Sequence, residues 1–149
     1  MRSVGLVLAF IAAFITGVSA AEPATPDVFA NAGFKIALVS GATATKQQGP
    51  DFDVYYVAWG AAGHLGLYEG CCPQTFLTGP DVHKADITIN GLKAAELKRS
   101  DDKVVSRELH ITIPRPGTTA TMVVHAWYKS LSPEDAAIAD QMLATIAAK

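Results

Sequence analysis

The residues of this chain with the clearest capacity for chemistry are two adjacent thiols, Cys71 and Cys72, which are also its only cysteines. In an oxidising compartment, neighbouring thiols can close a vicinal disulfide, whose small ring is strained and readily reduced. Left reduced, the two sulfurs suit a soft metal such as Cu(I) or Zn(II), with an imidazole from His64 or His83 in support. Plainer readings stand beside these: cysteines buried as small hydrophobes, a disulfide between molecules, or an inert vicinal bridge. Adjacent side chains tend to point apart, unlike those of Cys-x-x-Cys, so spacing alone does not choose among them.

Aromatic residues offer a second candidate. Tyr55, Trp59, Tyr68 and Trp127 could line a ligand groove. They could equally be ordinary sheet aromatics, packed under a helix on one face and paired across strands on the other. The four histidines, His64, His83, His110 and His125, form no H-x-H or HExxH pattern, and a lone strand histidine is more often surface or satisfied core than ligand.

Hydrolytic and nucleotide chemistry find no motif. A G-x-S-x-G elbow is absent, Asp51 and Asp53 sit at a strand start, and Asp101-Asp102 belongs to a turn. The glycines between Gly60 and Gly70 lack the Lys-Ser/Thr ending of a phosphate loop, and C-x-x-C-H is missing. No catalytic residue is assigned, and neither an enzymatic activity nor a cofactor is expected.

The compartment follows from the N-terminus. Met1-Arg2 is a minimal positive start, Val4 to Val18 is almost wholly apolar, and Val18-Ser19-Ala20-Ala21 fits a signal peptidase. The expected cut falls after Ala20, making residues 1–20 a signal peptide. The apolar run is short for a retained anchor. The mature chain of 129 residues carries eleven Lys/Arg against fourteen Asp/Glu, a net charge of −3. That mild, scattered acidity argues against nucleic acid and against a polybasic membrane surface.

The elements that must position these groups can be read from periodicity. Residues 21–26 form a loose leader, and 27–149 a single domain. Thr25-Pro26-Asp27 reads as a helix start and Gly33 as its stop, predicting a helix of one or two turns. Alternation predicts strands at 34–39, 52–59, 64–68, 85–89, 105–113 and 121–128. Residues 41–50 and 70–82 read as loops, Asn90-Gly91 is a tight hairpin turn, and 92–99 suits either strand or helix. Arg107 falls on the apolar side of its strand. Ser132-Pro133-Glu134-Asp135 opens a helix running to about Ala147, with Ile138, Met142 and Ile146 on its apolar stripe and Asp140 and Gln141 facing water.

These elements predict an α+β domain: an antiparallel sheet of about six strands, a short N-terminal helix and a C-terminal amphipathic helix packed on one face. A short first helix, an antiparallel sheet and a closing helix such as Ser132 to Ile146 resemble, in their order, the PsbP/Mog1-type fold. The resemblance implies a sandwich of sheet and helices with an accessory or binding role. The expectation is therefore a secreted or periplasmic binding domain, non-catalytic, with a protein or small-molecule partner and no membrane span once the signal is removed. The alternative is a periplasmic thiol-redox or soft-metal protein built on Cys71-Cys72.

Overall fold

A computed structural model describes residues 27–31, 33–115 and 117–149. The expected signal peptide and leader lie outside the described residues. The described residues are mostly β, with ten strands in two antiparallel sheets and one helix. In chain order they are β1 (Val28–Ala30), β2 (Phe34–Ala37), β3 (Thr43–Gln48), β4 (Asp53–Trp59), β5 (Gly63–Glu69), β6 (His83–Ile89), β7 (Leu92–Ser100), β8 (Val105–Pro114), β9 (Thr121–Leu131), α1 (Pro133–Leu143) and β10 (Ala147–Ala148). The large sheet has the order β3-β4-β5-β9-β8-β7-β6, and the small one β1-β2-β10.

The expected α+β class with its N-terminal helix is corrected by these elements. Residues 28–30 are a strand because Asn31 reverses the chain: its side-chain Oδ1 accepts from the Gly33 and Phe34 amides, both at 2.8 Å. An Asx turn of this kind competes directly with a helix. β1 then pairs with β2, with Phe29 opposite Ile36, and the Phe29 ring packs on Tyr55 at 4.9 Å. The resemblance to the PsbP/Mog1-type fold drew on that first helix, which is absent among the described residues.

Two further segments differ from expectation. Thr43–Gln48, read as loop, is the edge strand of the large sheet and pairs with β4 alone. An edge strand that is mostly exposed needs no apolar alternation, and its threonines suit a pleated backbone. Residues 92–100 resolve as strand, joined to β6 by a turn in which Asn90 and Gly91 have φ of 47° and 80°, the pair of left-handed residues that a type I′ hairpin requires.

The helix begins as its sequence predicts. Ser132 caps it, accepting from the Asp135 amide at 3.1 Å, with Pro133 at the first position. It stops at Leu143, earlier than its apolar stripe suggests. Thr145 Oγ1 donates to the Met142 carbonyl and accepts from the Ala37 amide, which turns the chain out to pair β10 with β2. Ala136, Ala139, Met142 and Leu143 are buried against the inner face of the large sheet. Phe34, Ile36, Leu67, Leu109, Ile111 and Ile146 complete one continuous core.

Arg107, on the apolar side as its alternation implied, is neutralised there. Its Nε binds Glu96 at 2.6 Å and its Nη1 binds Asp140 at 2.8 Å; Tyr128 donates its hydroxyl to the same Asp140. Asp140 is thus tied to the sheet and does not simply face water. Among the described residues, no helix is long and apolar enough to cross a membrane.

Candidate functional site

Opposite the helix, the outer face of the large sheet is partly roofed. β5 and β6 are separated in the sheet by β9, β8 and β7, so residues 70–82 must travel across that face to join them. This crossover carries Cys71 and Cys72, then Phe76 and Leu77. Leu77 is buried. The Phe76 ring lies against His125 at 5.3 Å and Trp127 at 5.4 Å, with the Lys129 ammonium 4.2 Å from its centroid.

The strands beneath it present an unusual set of side chains. β8 alternates Leu109, Ile111 and Ile113 toward the core, which aims Glu108, His110 and Thr112 outward; β9 likewise aims Val123, His125, Trp127 and Lys129 outward. The register places His110 directly opposite His125, and their rings stack at 4.6 Å and 18°. Glu108 lies two residues along the same face. Ligand atoms of Glu108, His110 and His125 all fall within 4.8 Å of one another, the one such grouping of three or more among the described residues.

Burial shapes the electrostatics of this cluster. Glu108 is wholly buried and His125 is 1 % exposed. Glu108 Oε1 accepts from the Phe76 amide at 2.7 Å and so pins the crossover to the sheet. Its other oxygen lies 3.6 Å from His125 Nε2, and neither atom has a hydrogen-bond partner. Desolvation raises the Glu108 carboxyl above its ordinary value, partly offset by the Phe76 and Leu77 amides. Desolvation, aided by His110 and Lys129, lowers His125 to about 4, so its imidazole is neutral at pH 7.

His110 is half-buried and forms the boundary between this cluster and solvent. It lines an outer-face pocket of about 700 Å³, with Pro73, Asp86, Lys93, Thr112 and Val123, and borders a second of about 540 Å³ containing Thr75, Lys84 and Glu96. The first pocket mixes polar Asp86, Lys93, His110 and Thr112 with apolar Pro73, Ala94 and Val123.

The residues singled out from sequence are dispersed. Cys71 and Cys72 are free and exposed at the start of the crossover. The Cys71 thiol is held above its ordinary value, first by its hydrogen bond with Cys72 and then by desolvation, which lowers the share of reactive thiolate. His64 is exposed at the far end of β5 from the cysteines, roughly 20 Å along the strand, and its Nδ1 lies 3.0 Å from the Ala62 carbonyl. His83 is exposed on the β6 edge. Neither histidine joins the thiols in a ligand set.

The four aromatic residues do not share a groove. Tyr55 and Trp59 face the core, where Trp59 donates its indole N–H to Asp135 of α1 at 3.1 Å. Tyr68 and Trp127 are on the outer face, where Tyr68 stacks on Phe52. Trp127 alone joins the roofed cluster. In the sequence His110 and His125 read only as isolated strand residues, and no motif marks Glu108. The available signal was positional: pairing the strands at 105–113 and 121–128 as a hairpin sets the two histidines on one face with Glu108 beside them.

A scan against protein-family models matches none to this chain, and a search of curated proteins finds no match.

Proposed function

We propose that this chain is an exported, non-catalytic binding domain whose ligand seat is the outer-face pocket beside His110. The observation that carries the reading is that pocket: about 700 Å³, walled by Asp86, Lys93, His110 and Thr112 on three strands and by Pro73 of the crossover. A carboxylate, an ammonium and an imidazole converging on one concavity, with apolar floor between them, suit a small polar ligand better than a flat protein surface. Strand-mounted side chains hold such groups more rigidly than a loop would. Export is supported by the apolar run Val4 to Val18 and the Val18-Ser19-Ala20 cleavage pattern, and points to a secreted or periplasmic location.

Both halves of the reading have direct tests. Mass measurement of the protein recovered outside the cytoplasm is expected to give a chain beginning at Ala21; an intact N-terminus on the exported protein would refute cleavage. For the seat, a fragment library is screened by amide chemical-shift mapping, with Thr112→Trp as the variant that fills the pocket. Shifts are expected to cluster on residues 86–95 and 110–112 and to vanish in Thr112→Trp. Shifts clustering elsewhere, or persisting in the filled variant, would rule the seat out. The rival thiol-redox reading draws on the exposure of both cysteines. It requires two thiols to give up two electrons and two protons to a disulfide-exchange partner. Alkylation with and without reductant distinguishes it.

A further inference from the structure

We infer that Glu108, His110 and His125 form a binding site for a divalent transition-metal ion, Zn²⁺ or Cu²⁺, on the outer face of the large sheet, beside the pocket that His110 lines. The inference rests on and deepens the binding-domain reading, since His110 belongs both to the cluster and to the wall of the proposed seat.

Two independent observations point to a ligand. The first is composition and placement: one carboxylate and two imidazoles, supplied by i and i+2 on β8 and by the directly opposed residue on β9, with ligand atoms within 4.8 Å. The second is that Glu108 Oε2 and His125 Nε2, both in wholly or almost wholly buried side chains, lack any partner and face each other at 3.6 Å. An unpartnered buried carboxylate oxygen and an unpartnered imidazole nitrogen are each costly. A cation between them satisfies both at once.

The ligand chemistry selects the ion. Two neutral imidazoles with one carboxylate suit Zn²⁺, Cu²⁺ or Ni²⁺, whereas Ca²⁺ and Mg²⁺ prefer all-oxygen shells of six or more ligands. Ligand atoms around a tetrahedral zinc lie about 3.3 Å apart, given bonds of roughly 2.0–2.1 Å. The cluster must therefore close by at most about 1.5 Å. His110 is the member free to do so, because it is half-buried at the pocket wall while Glu108 and His125 are locked beneath Phe76. A fourth position would then open onto the pocket, leaving room for water or a ligand group.

The cysteines lie outside this set, which makes the test clean. Untagged protein is stripped with a chelator, dialysed and titrated with Zn²⁺ and Cu²⁺ by calorimetry and thermal melting, with Mg²⁺ and Ca²⁺ as controls. One equivalent of Zn²⁺ or Cu²⁺ is expected to bind and raise the melting temperature, while Mg²⁺ and Ca²⁺ leave it unchanged. His110→Ala, and Glu108→Gln, which keeps an acceptor for the Phe76 amide, are expected to weaken binding at least tenfold with little change in the metal-free melt. The double variant Cys71→Ser/Cys72→Ser should bind as the parent does. In the Cu²⁺ form, electron paramagnetic resonance should show coupling to two imidazole nitrogens, falling to one in His110→Ala. Absence of saturable binding, unchanged affinity in both cluster variants, or loss of binding in the cysteine variant would overturn the site. If the metal arm fails while fragments still map to the pocket, the metal site falls and the binding-domain reading stands; if both fail, both fall.

Discussion

Glu69 shows how one carboxyl can work against the fold. It sits at the end of β5 directly opposite Asp53 of β4, accepts from the Asn31 side-chain amide, and lies within reach of Arg115. Burial, first, and the neighbouring Asp53 raise its carboxyl above the ordinary value. A raised folded-state value means the native state holds its proton more tightly than the unfolded chain. The associated stability is complete below the ordinary value of 4.5 and is lost as the pH rises through the folded value. Glu69→Gln keeps an acceptor for Asn31 and removes the charge. The variant is expected to melt higher than the parent at pH 7, with the gap closing at pH 4; an unchanged or reversed gap would refute the assignment. None of this is readable from the chain, where Glu69 is simply a polar residue just beyond the strand expected at 64–68. Arg107 was readable in part: alternation placed it on the inner side, but its partners Glu96 and Asp140 come from a neighbouring strand and the helix, which no local pattern reveals.

At the level of elements, one demanding contact is between β5 and β9. Gly66 pairs with Trp127, and a methyl added at Gly66 would meet the indole at 2.3 Å. The glycine therefore lets the tryptophan lie flat across β5, where it supports both Phe76 and His125. Gly66→Ala is expected to push the ring off the strand and destabilise the protein by about 1–3 kcal/mol, as overpacking does. The tryptophan emission should shift with it, and a variant with parental melting and emission would refute the contact. The elements that the sequence betrayed are those with one buried face and ordinary length: β4, β8, β9 and the start of α1, whose alternation and capping are local properties. Those it hid are short or peripheral. β1 has three residues and is made by a side-chain turn at Asn31; β3 is an edge with little buried surface; β10 has two residues. The candidate site was hidden for a related reason. Glu108 and His125 alternate outward, which ordinarily means toward water, and only the long return of residues 70–82 across the sheet buries them.

For the molecule as a whole, the small sheet is the fastening. β2 is flanked on one side by β1 and on the other by β10, so Lys35 pairs with both Ala30 and Ala147. Residues near the two ends of the domain therefore share one strand, and Ile146 is fully buried beside them. Removing residues 147–149 deletes the β10 pairing and the Lys149 amide bond to the Gly33 carbonyl. At roughly 1 kcal/mol for each lost hydrogen bond, the shortened chain is expected to be about 2–3 kcal/mol less stable. A urea midpoint equal to that of the parent would show the strand to be ornamental.

The same pairing sets the order of events in time. Contacts spanning more than a hundred residues form slowly, because the intervening chain must be gathered first. The core around Phe34 and Ile36 is fully covered only once β10 has joined β2. The small sheet is thus expected to close late, as a clasp over Phe34 and Ile36 after the hairpins of the large sheet have formed.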